Sequence, residues 1–378
     1  MRFIKRYANL LIFFLIAVGV IFFISQKNIL PKPSTPSQDT QESVSLNNKS
    51  PVNQITVIAQ SLDTPWAIAF LPDKSMLFTQ RNGEVRLIDE NGKLDTSPVA
   101  TLKNVREIGE GGLLGIAVHP NFSFNNYIYF YYTYRGSGDD TLNRVVRMIY
   151  KDEKLSDEQI ILDRIPGASN HNGGRIKFGP DNFLYIGTGD AQNSSQAQDK
   201  NSLAGKILRT TDEGKPVPQN PFGNLVFSLG HRNVQGLAFD KNGNLWATEH
   251  GQSATDELNI IESGKNYGWP ESVGDKVLAG TIAPVLHSGR DTWAPSGAAL
   301  VGNSLFFAGL RGNALYEYKI NEKKLIEHFK GQYGRLREVV LGPDNMLYIT
   351  TSNRDGRGNP ENTDDRIIKI NPLVPAAF

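Results

Sequence analysis

The chain contains no cysteine in 378 residues. That excludes disulfides, thiolate metal sites, a cysteine nucleophile and a lipoprotein anchor. It also lacks an excess of either charge: 40 lysines and arginines stand against 39 aspartates and glutamates. No overall field draws it to a nucleic acid, and a neutral or modestly charged small ligand is the expected partner. Long apolar runs are absent from all but the N-terminus. There Arg2, Lys5 and Arg6 precede the stretch Ala8–Ile24, which just reaches the lower bound of about 17 residues for a spanning helix. The basic flank is expected to stay in the cytoplasm and the remainder to lie outside. No small-x-small cleavage site follows Ile24, where Ser25-Gln-Lys-Asn is polar and bulky. Residues 1–25 therefore read as an uncleaved membrane anchor, with a cleaved signal peptide as the competing reading. Residues 26–53, with Pro31, Pro33 and Pro36 closely spaced among serine, glutamine and asparagine, read as a disordered linker.

What is abundant, from residue 54 to 378, is one recurring phrase: a small or apolar strand, a Pro-Asp or Asn-Gly turn, then a second apolar strand. It appears as Trp66-Ala-Ile-Ala-Phe-Leu-Pro-Asp, Gly115-Ile-Ala-Val-His-Pro and Gly174-Arg-Ile-Lys-Phe-Gly-Pro-Asp. It returns as Gly236-Leu-Ala-Phe-Asp-Lys-Asn-Gly, Gly297-Ala-Ala-Leu-Val-Gly-Asn and Glu338-Val-Val-Leu-Gly-Pro-Asp. Each phrase is a hairpin, because alternating apolar residues give each strand one buried face and the turn pair supplies the backbone angles of the connection. Further strands follow, such as Glu84–Ile88 and Leu315–Ile320. Spacings of about 40 to 60 residues suit four-stranded blades, so the predicted fold is all-β, a six-bladed propeller carried behind the N-terminal helix. The segment Ile55–Ala59 is expected to pair into the last blade and close the ring, since an open ring leaves an exposed sheet edge. A β-sandwich with irregular insertions is the alternative.

In a propeller, polar residues just before the first strand of a repeat, or just after the second, point toward one mouth of the central channel. Asn170 to Asp190 places His171 and Asp190 at opposite ends of one hairpin, where a carboxylate can fix an imidazole's tautomer and strengthen it as a base. Ser228 to Phe239 carries His231-Arg232-Asn233 ahead of another inner strand, a guanidinium fork suited to carboxylate or quinone oxygens with a neutral donor beside it. Glu249-His-Gly-Gln-Ser is a glycine-containing turn able to offer carbonyls to a hard cation. Each has an equally plain structural reading as a cross-braced loop. His119, His250, His287 and His328 read as structural or solvated.

Taken together, Gly111-Gly-Leu-Leu-Gly-Ile-Ala-Val-His-Pro120, His171 through Asp190, Gly230-His-Arg-Asn-Val-Gln-Gly-Leu237, Glu249-His-Gly251 and Asn266-Tyr-Gly-Trp-Pro270 resemble the signature segments of the soluble, pyrroloquinoline quinone (PQQ)-dependent glucose and aldose sugar dehydrogenases. They occur in that family's order, and the match runs over Ile55 to Pro372. The resemblance implies oxidation of an aldose by hydride transfer to PQQ, with an external electron acceptor. His171 would be the general base, oriented by Asp190. Arg232 and Asn233 would hold the quinone oxygens. Thr292, Arg311, Arg335 and Arg337 would meet the cofactor's carboxylates, and the carbonyls of Gly251 and Gln252 would hold calcium. Two positions depart from the family pattern. Glu110 stands where the glucose enzymes carry glutamine, so it is expected to be protonated, paired with an arginine such as Arg232, or the mark of a relative that has lost PQQ. Gln252 replaces a proline in the metal loop. The competing functions are a calcium-dependent lactonase, which needs carboxylates in the channel, and a non-catalytic cell-surface binding propeller.

Overall fold

The structure, a computed structural model, describes residues 55–372. The expected anchor and the whole of the linker lie outside the described residues, and among the described residues no helix is long and apolar enough to cross a membrane.

Six antiparallel sheets of four strands each form the fold. The innermost strands are Pro65–Phe70, Leu113–Val118, Ile176–Phe178, Val234–Phe239, Pro295–Val301 and Leu336–Leu341. These are the first strands of the six repeated phrases. Each touches its neighbours in sequence order, and the last touches the first, so they form a closed ring around one axis. Closure is covalently staggered: the sixth blade takes its first three strands from the C-terminal part of the chain and its outermost from Ile55–Ala59, which pairs antiparallel with Ile367–Ile370. The sheet edge that would invite association is thereby covered.

The strands pack on both faces, because every blade lies between two others. In the second blade the middle strand Tyr127–Arg135 buries Tyr129, Phe130, Tyr131 and Tyr132 completely, which explains a run of consecutive aromatics where a half-exposed strand would alternate. Adjacent blades are also tied by a repeated threonine device. Thr79 Oγ1 donates to the Leu114 carbonyl at 2.6 Å, and Thr248 Oγ1 donates to the Ser296 carbonyl at 2.7 Å. In each case a second strand reaches the inner strand of the next blade.

Aligning the repeats by strand register places Ala67, Gly115, Arg175, Gly236, Gly297 and Glu338 at equivalent positions around the axis. Four of the six are glycine or alanine, and the remaining two, Arg175 and Glu338, form an ion pair there. The small residues are required: a Cβ on Gly297 would stand 2.0 Å from Glu338 Oε1. Both charged partners are almost fully buried, so neither is tolerable without the other.

Candidate active site

One mouth of the channel is formed by the segments that lead into the inner strands and those that leave the second strands. It encloses a cavity of about 360 Å³ lined by Glu110, His171, Arg232, Gly251, Gln252, Thr292, Arg311, Arg335 and Arg337 among others. Residues spread over 228 positions of sequence thus meet at one place because the blade ring returns each inner-strand entry to the axis. Asp190 and Asn233 do not line the cavity; they sit directly behind it.

His171 enters on a left-handed backbone turn, with φ of 60°. Its Nδ1 lies 2.8 Å from Asp190 Oδ1, and Arg232 Nη2 lies 2.9 Å from its Nε2. An acceptor on one nitrogen and a donor on the other select one tautomer, with the proton on Nδ1 and the lone pair on Nε2. Asp190 is itself held: its Oδ2 accepts the Trp269 indole N–H at 2.8 Å and its Oδ1 the Gln192 backbone N–H at 2.9 Å. Trp269 also faces Arg232, whose guanidinium carbon is 5.3 Å from the ring centroid. Burial lowers the Arg232 pKa, opposed by Asp190, Glu110 and Glu249.

Asn233 is fully buried, with Oδ1 accepting the Gly173 N–H at 2.9 Å and Nδ2 directed at Glu110 at 3.5 Å. It therefore braces the loop that carries His171. His231 is likewise structural, bound between Ser228 and Glu249 at 2.8 Å each and stacked on Tyr267. Thr292 lines the cavity with its hydroxyl donating to Asp256 Oδ2 at 3.0 Å. Asp256, which the sequence did not single out, also accepts the backbone N–H groups of Gly251, Trp293 and Ala294 at 2.8, 2.6 and 2.8 Å. One buried carboxylate thus fixes the carbonyl-bearing turn against the entry to the fifth blade. Among the described residues no group of three or more histidine, aspartate or glutamate side chains is placed to hold a metal ion. A cation at this turn would rely on main-chain carbonyls.

Glu110 corrects the expectation that it is protonated or paired with Arg232. Its Oε1 accepts from Arg357 Nη1 at 2.7 Å and its Oε2 from the His171 backbone N–H at 3.0 Å. Burial opposes ionisation, but His250, Arg357 and the His171 N–H outweigh it and hold the pKa at about 2. The folded-state value lies below the ordinary 4.5, so the stability this carboxylate contributes is complete above pH 4.5 and is lost as pH falls toward 2. His250 is not a solvated bystander either. It lines the cavity with Nε2 buried and unpartnered, and burial pushes its pKa down to about 4, leaving it neutral at neutral pH. Arg357 is then the operative countercharge of Glu110. The other three histidines are structural: His119 accepts the Asn121 N–H at 2.9 Å, His287 pairs with Asp275 at 3.0 Å and His328 with Glu317 at 2.9 Å.

Arg335 is gripped by Asp355 Oδ2 at 2.8 and 3.0 Å, whereas Arg337 donates to Gln235 at 2.9 Å and is pushed down to about 9 by burial, Asp355 opposing and Arg335 and Arg81 adding to the shift. Arg311 is exposed at the rim. The lining as a whole holds five arginines against two carboxylates, Glu110 and Asp256. Arg232 Nε, Arg337 Nε and His250 Nε2 are buried without hydrogen-bond partners. Unpaired buried polar atoms are costly, and guanidinium groups clustered at one cavity are a donor set for a polyanion with several carboxylates. The residues present therefore fit PQQ, a tricarboxylate.

Comparison with known proteins agrees. The family model described as "Glucose / Sorbosone dehydrogenase" matches residues 62–359. The aldose sugar dehydrogenase YliI of Escherichia coli is 34% identical over 343 residues, covering 80% of this chain and 91% of that protein. The PQQ-bound aldose sugar dehydrogenase of Streptomyces coelicolor superposes with a TM-score of 0.78 at 40% identity, covering 83% of this chain and 97% of that one. The apo form of the soluble E. coli aldose sugar dehydrogenase gives 0.75 at 31% identity, covering 83% and 98%.

Proposed function

The chain belongs to the glucose/sorbosone dehydrogenase family and is a PQQ-dependent oxidoreductase; from that premise we propose that it oxidises aldoses at the anomeric carbon with His171 as the general base. The observation that carries this reading is the contiguous line Asp190–His171–Arg232 at the wall of an arginine-rich cavity. When bound there, PQQ supplies a quinone able to accept hydride. Arg232, Arg311, Arg335 and Arg337 would hold its oxygens and carboxylates, with Thr292 beside them and Asn233 acting from behind, and the carbonyls of Gly251 and Gln252 would hold calcium against it.

The chain's own part is proton handling and charge. His171 takes the proton of the substrate's anomeric hydroxyl at Nε2. Asp190, accepting from Nδ1, stabilises the imidazolium that results. In the structure the Nε2 lone pair is occupied by Arg232, so the base is free only when that guanidinium turns to another anion. Arg232 then supplies positive charge where negative charge grows, in a partly dry site where such stabilisation is largest. Trp269 keeps Asp190 from drifting. The same reading puts the propeller outside the cytoplasm, tethered by residues 1–25, with an external electron acceptor.

The test is a spectrum of the purified protein titrated with PQQ at fixed calcium, followed by addition of an aldose. Bound quinone that is reduced on adding sugar is expected. Binding without reduction by any aldose would overturn the substrate class, and no binding would overturn the cofactor.

Glu110→Gln offers a separate check. The substitution removes a negative charge beside a polyanion site and releases Arg357 from its partner, while the amide oxygen can still accept the His171 N–H. PQQ affinity is expected to be unchanged to roughly tenfold tighter, about 1.4 kcal/mol at most. Calorimetric titration of both proteins measures it. Collapse of binding in the variant would mean that the carboxylate is itself a required ligand.

A further inference from the structure

The opposite mouth of the channel is lined differently. The position two residues beyond the ring described above is Ala69, Ala117, Lys177, Ala238, Ala299 and Val340 in the six blades. Five are small or aliphatic, and Ala69, Ala117, Lys177 and Val340 line a second cavity of about 290 Å³ bordered by inner strands of all six blades. Its walls are apolar, with Ile68, Phe70, Ile116, Val118 and Leu341 among them. Its charged lining consists of three side chains: Arg175, Glu338 and Lys177.

These three do not balance. Glu338 is taken by Arg175 Nη1. Arg175 Nε donates to the Gln235 carbonyl at 2.8 Å and its guanidinium lies over Trp66, yet its Nη2 is buried without any hydrogen-bond partner. Lys177 sees Glu338 only at longer range, and burial lowers its pKa more than that carboxylate restores it. One cation is thus in excess, and one buried N–H is unsatisfied, inside an otherwise apolar recess. Lys177 is half-buried and has no ion-pair partner among the described residues, Arg175 Nη2 is buried and unsatisfied, and the group that answers both carries one negative charge and acceptor oxygens.

We propose that this second mouth is a binding site for a small amphipathic monoanion, a carboxylate on a short apolar body, with Lys177 and Arg175 holding the carboxylate and the inner-strand aliphatic residues holding the body. It is separate from the proposed dehydrogenase site: the two cavities share no lining residue, and the assignment stands whether or not the first cavity takes PQQ. A carboxylate between these cations completes the charge of the channel, and the apolar body covers Leu341, which is 37% exposed.

The test uses the full chain and three probes: hexanoate, which has both charge and apolar body; gluconate, which has the charge alone; and hexan-1-ol, which has the body alone. Calorimetry or ligand-observed NMR is expected to show saturable hexanoate binding with gluconate and hexanol at least roughly tenfold weaker. Lys177→Met should weaken hexanoate by a similar factor, and Lys177→Arg should retain it. Leu341→Glu, at the rim, should repel the anion without touching Lys177, which keeps the test decisive if Lys177→Met folds poorly. Oxidation of aldose by these variants should match wild type. No hexanoate binding, equal binding of gluconate or hexanol, or equal hexanoate binding by both Lys177→Met and Leu341→Glu overturns the proposal.

Discussion

Replacing His171 with alanine should lower turnover by about 10²–10⁴-fold and leave cofactor binding close to wild type. The separation of the two effects follows from where the imidazole sits. Its side chain contacts Asp190 and Arg232, whereas its backbone N–H holds Glu110. Alanine keeps the backbone contact and the turn, so the cavity wall stays in place. Losing the ring frees Arg232 Nη2, which weakens no contact to a bound anion. The proton acceptor, however, is gone, and an interaction needed only as the hydroxyl loses its proton shows in kcat rather than in affinity. Arg232→Ala should behave differently and weaken both, because a guanidinium holds charge before the transition state as well as within it. Stopped-flow reduction of bound quinone, compared with equilibrium titration of the same proteins, reads the two quantities apart. Near-normal turnover by His171→Ala with PQQ bound would remove His171 from the role of base.

The architecture was legible because a propeller writes its period into the chain. Six copies of one hairpin phrase, and a lone strand ahead of the first, were enough to predict the ring and its closure through Ile55–Ala59. The rule that polar residues at strand entries and exits face one mouth also holds: His171, Arg232, Thr292 and Arg335 line a single cavity there. His250 follows the second strand Leu245–Glu249, and Asp355 and Arg357 follow Leu347–Thr351. All three occupy exit positions, as Arg311 does, although nothing in the local sequence sets His250 apart from a structural or solvated histidine, or Asp355 and Arg357 from ordinary loop charges.

Other features could not be read from one repeat at a time. That Arg175 and Glu338 face each other depends on blades three and six being opposite on a six-fold ring, and shows only when the repeats are aligned and four of the equivalent residues prove to be glycine or alanine. The partner of Glu110 is 247 residues away, on a loop whose course no periodicity fixes. The choice between Arg232 and Arg357 was therefore a matter of tertiary geometry. Asn233 shows the reverse case: it neighbours Arg232 in sequence, but it bridges to Gly189 and braces the loop from behind, while Arg232, on the bend ahead of the inner strand, enters the cavity.

Gly189→Ala should cost the enzyme most of its activity although no functional atom is removed. The β-carbon would stand 1.9 Å from the His171 carbonyl oxygen and 2.3 Å from the carbonyl carbon, both backbone atoms that cannot rotate away. Gly189 is also the crossing point of two blades. It forms a bridge with Asn233, its carbonyl accepts the Gly205 N–H at 2.8 Å, and the next residue's N–H donates to the Arg232 carbonyl at 2.8 Å. The segments that carry Asp190 and Arg232 are therefore anchored to each other, and the strain must be relieved by moving His171 away from both. A displacement of about 1 Å at a reacting group can cost roughly 10²-fold in rate. Overpacking of this kind should lower stability by about 1–3 kcal/mol as well. The expected variant folds with a reduced Tm, binds PQQ through arginines that the change does not touch, and turns over slowly at every pH. Full activity with an unchanged Tm would mean that the His171 turn is not held as closely against Gly189 as the structure places it.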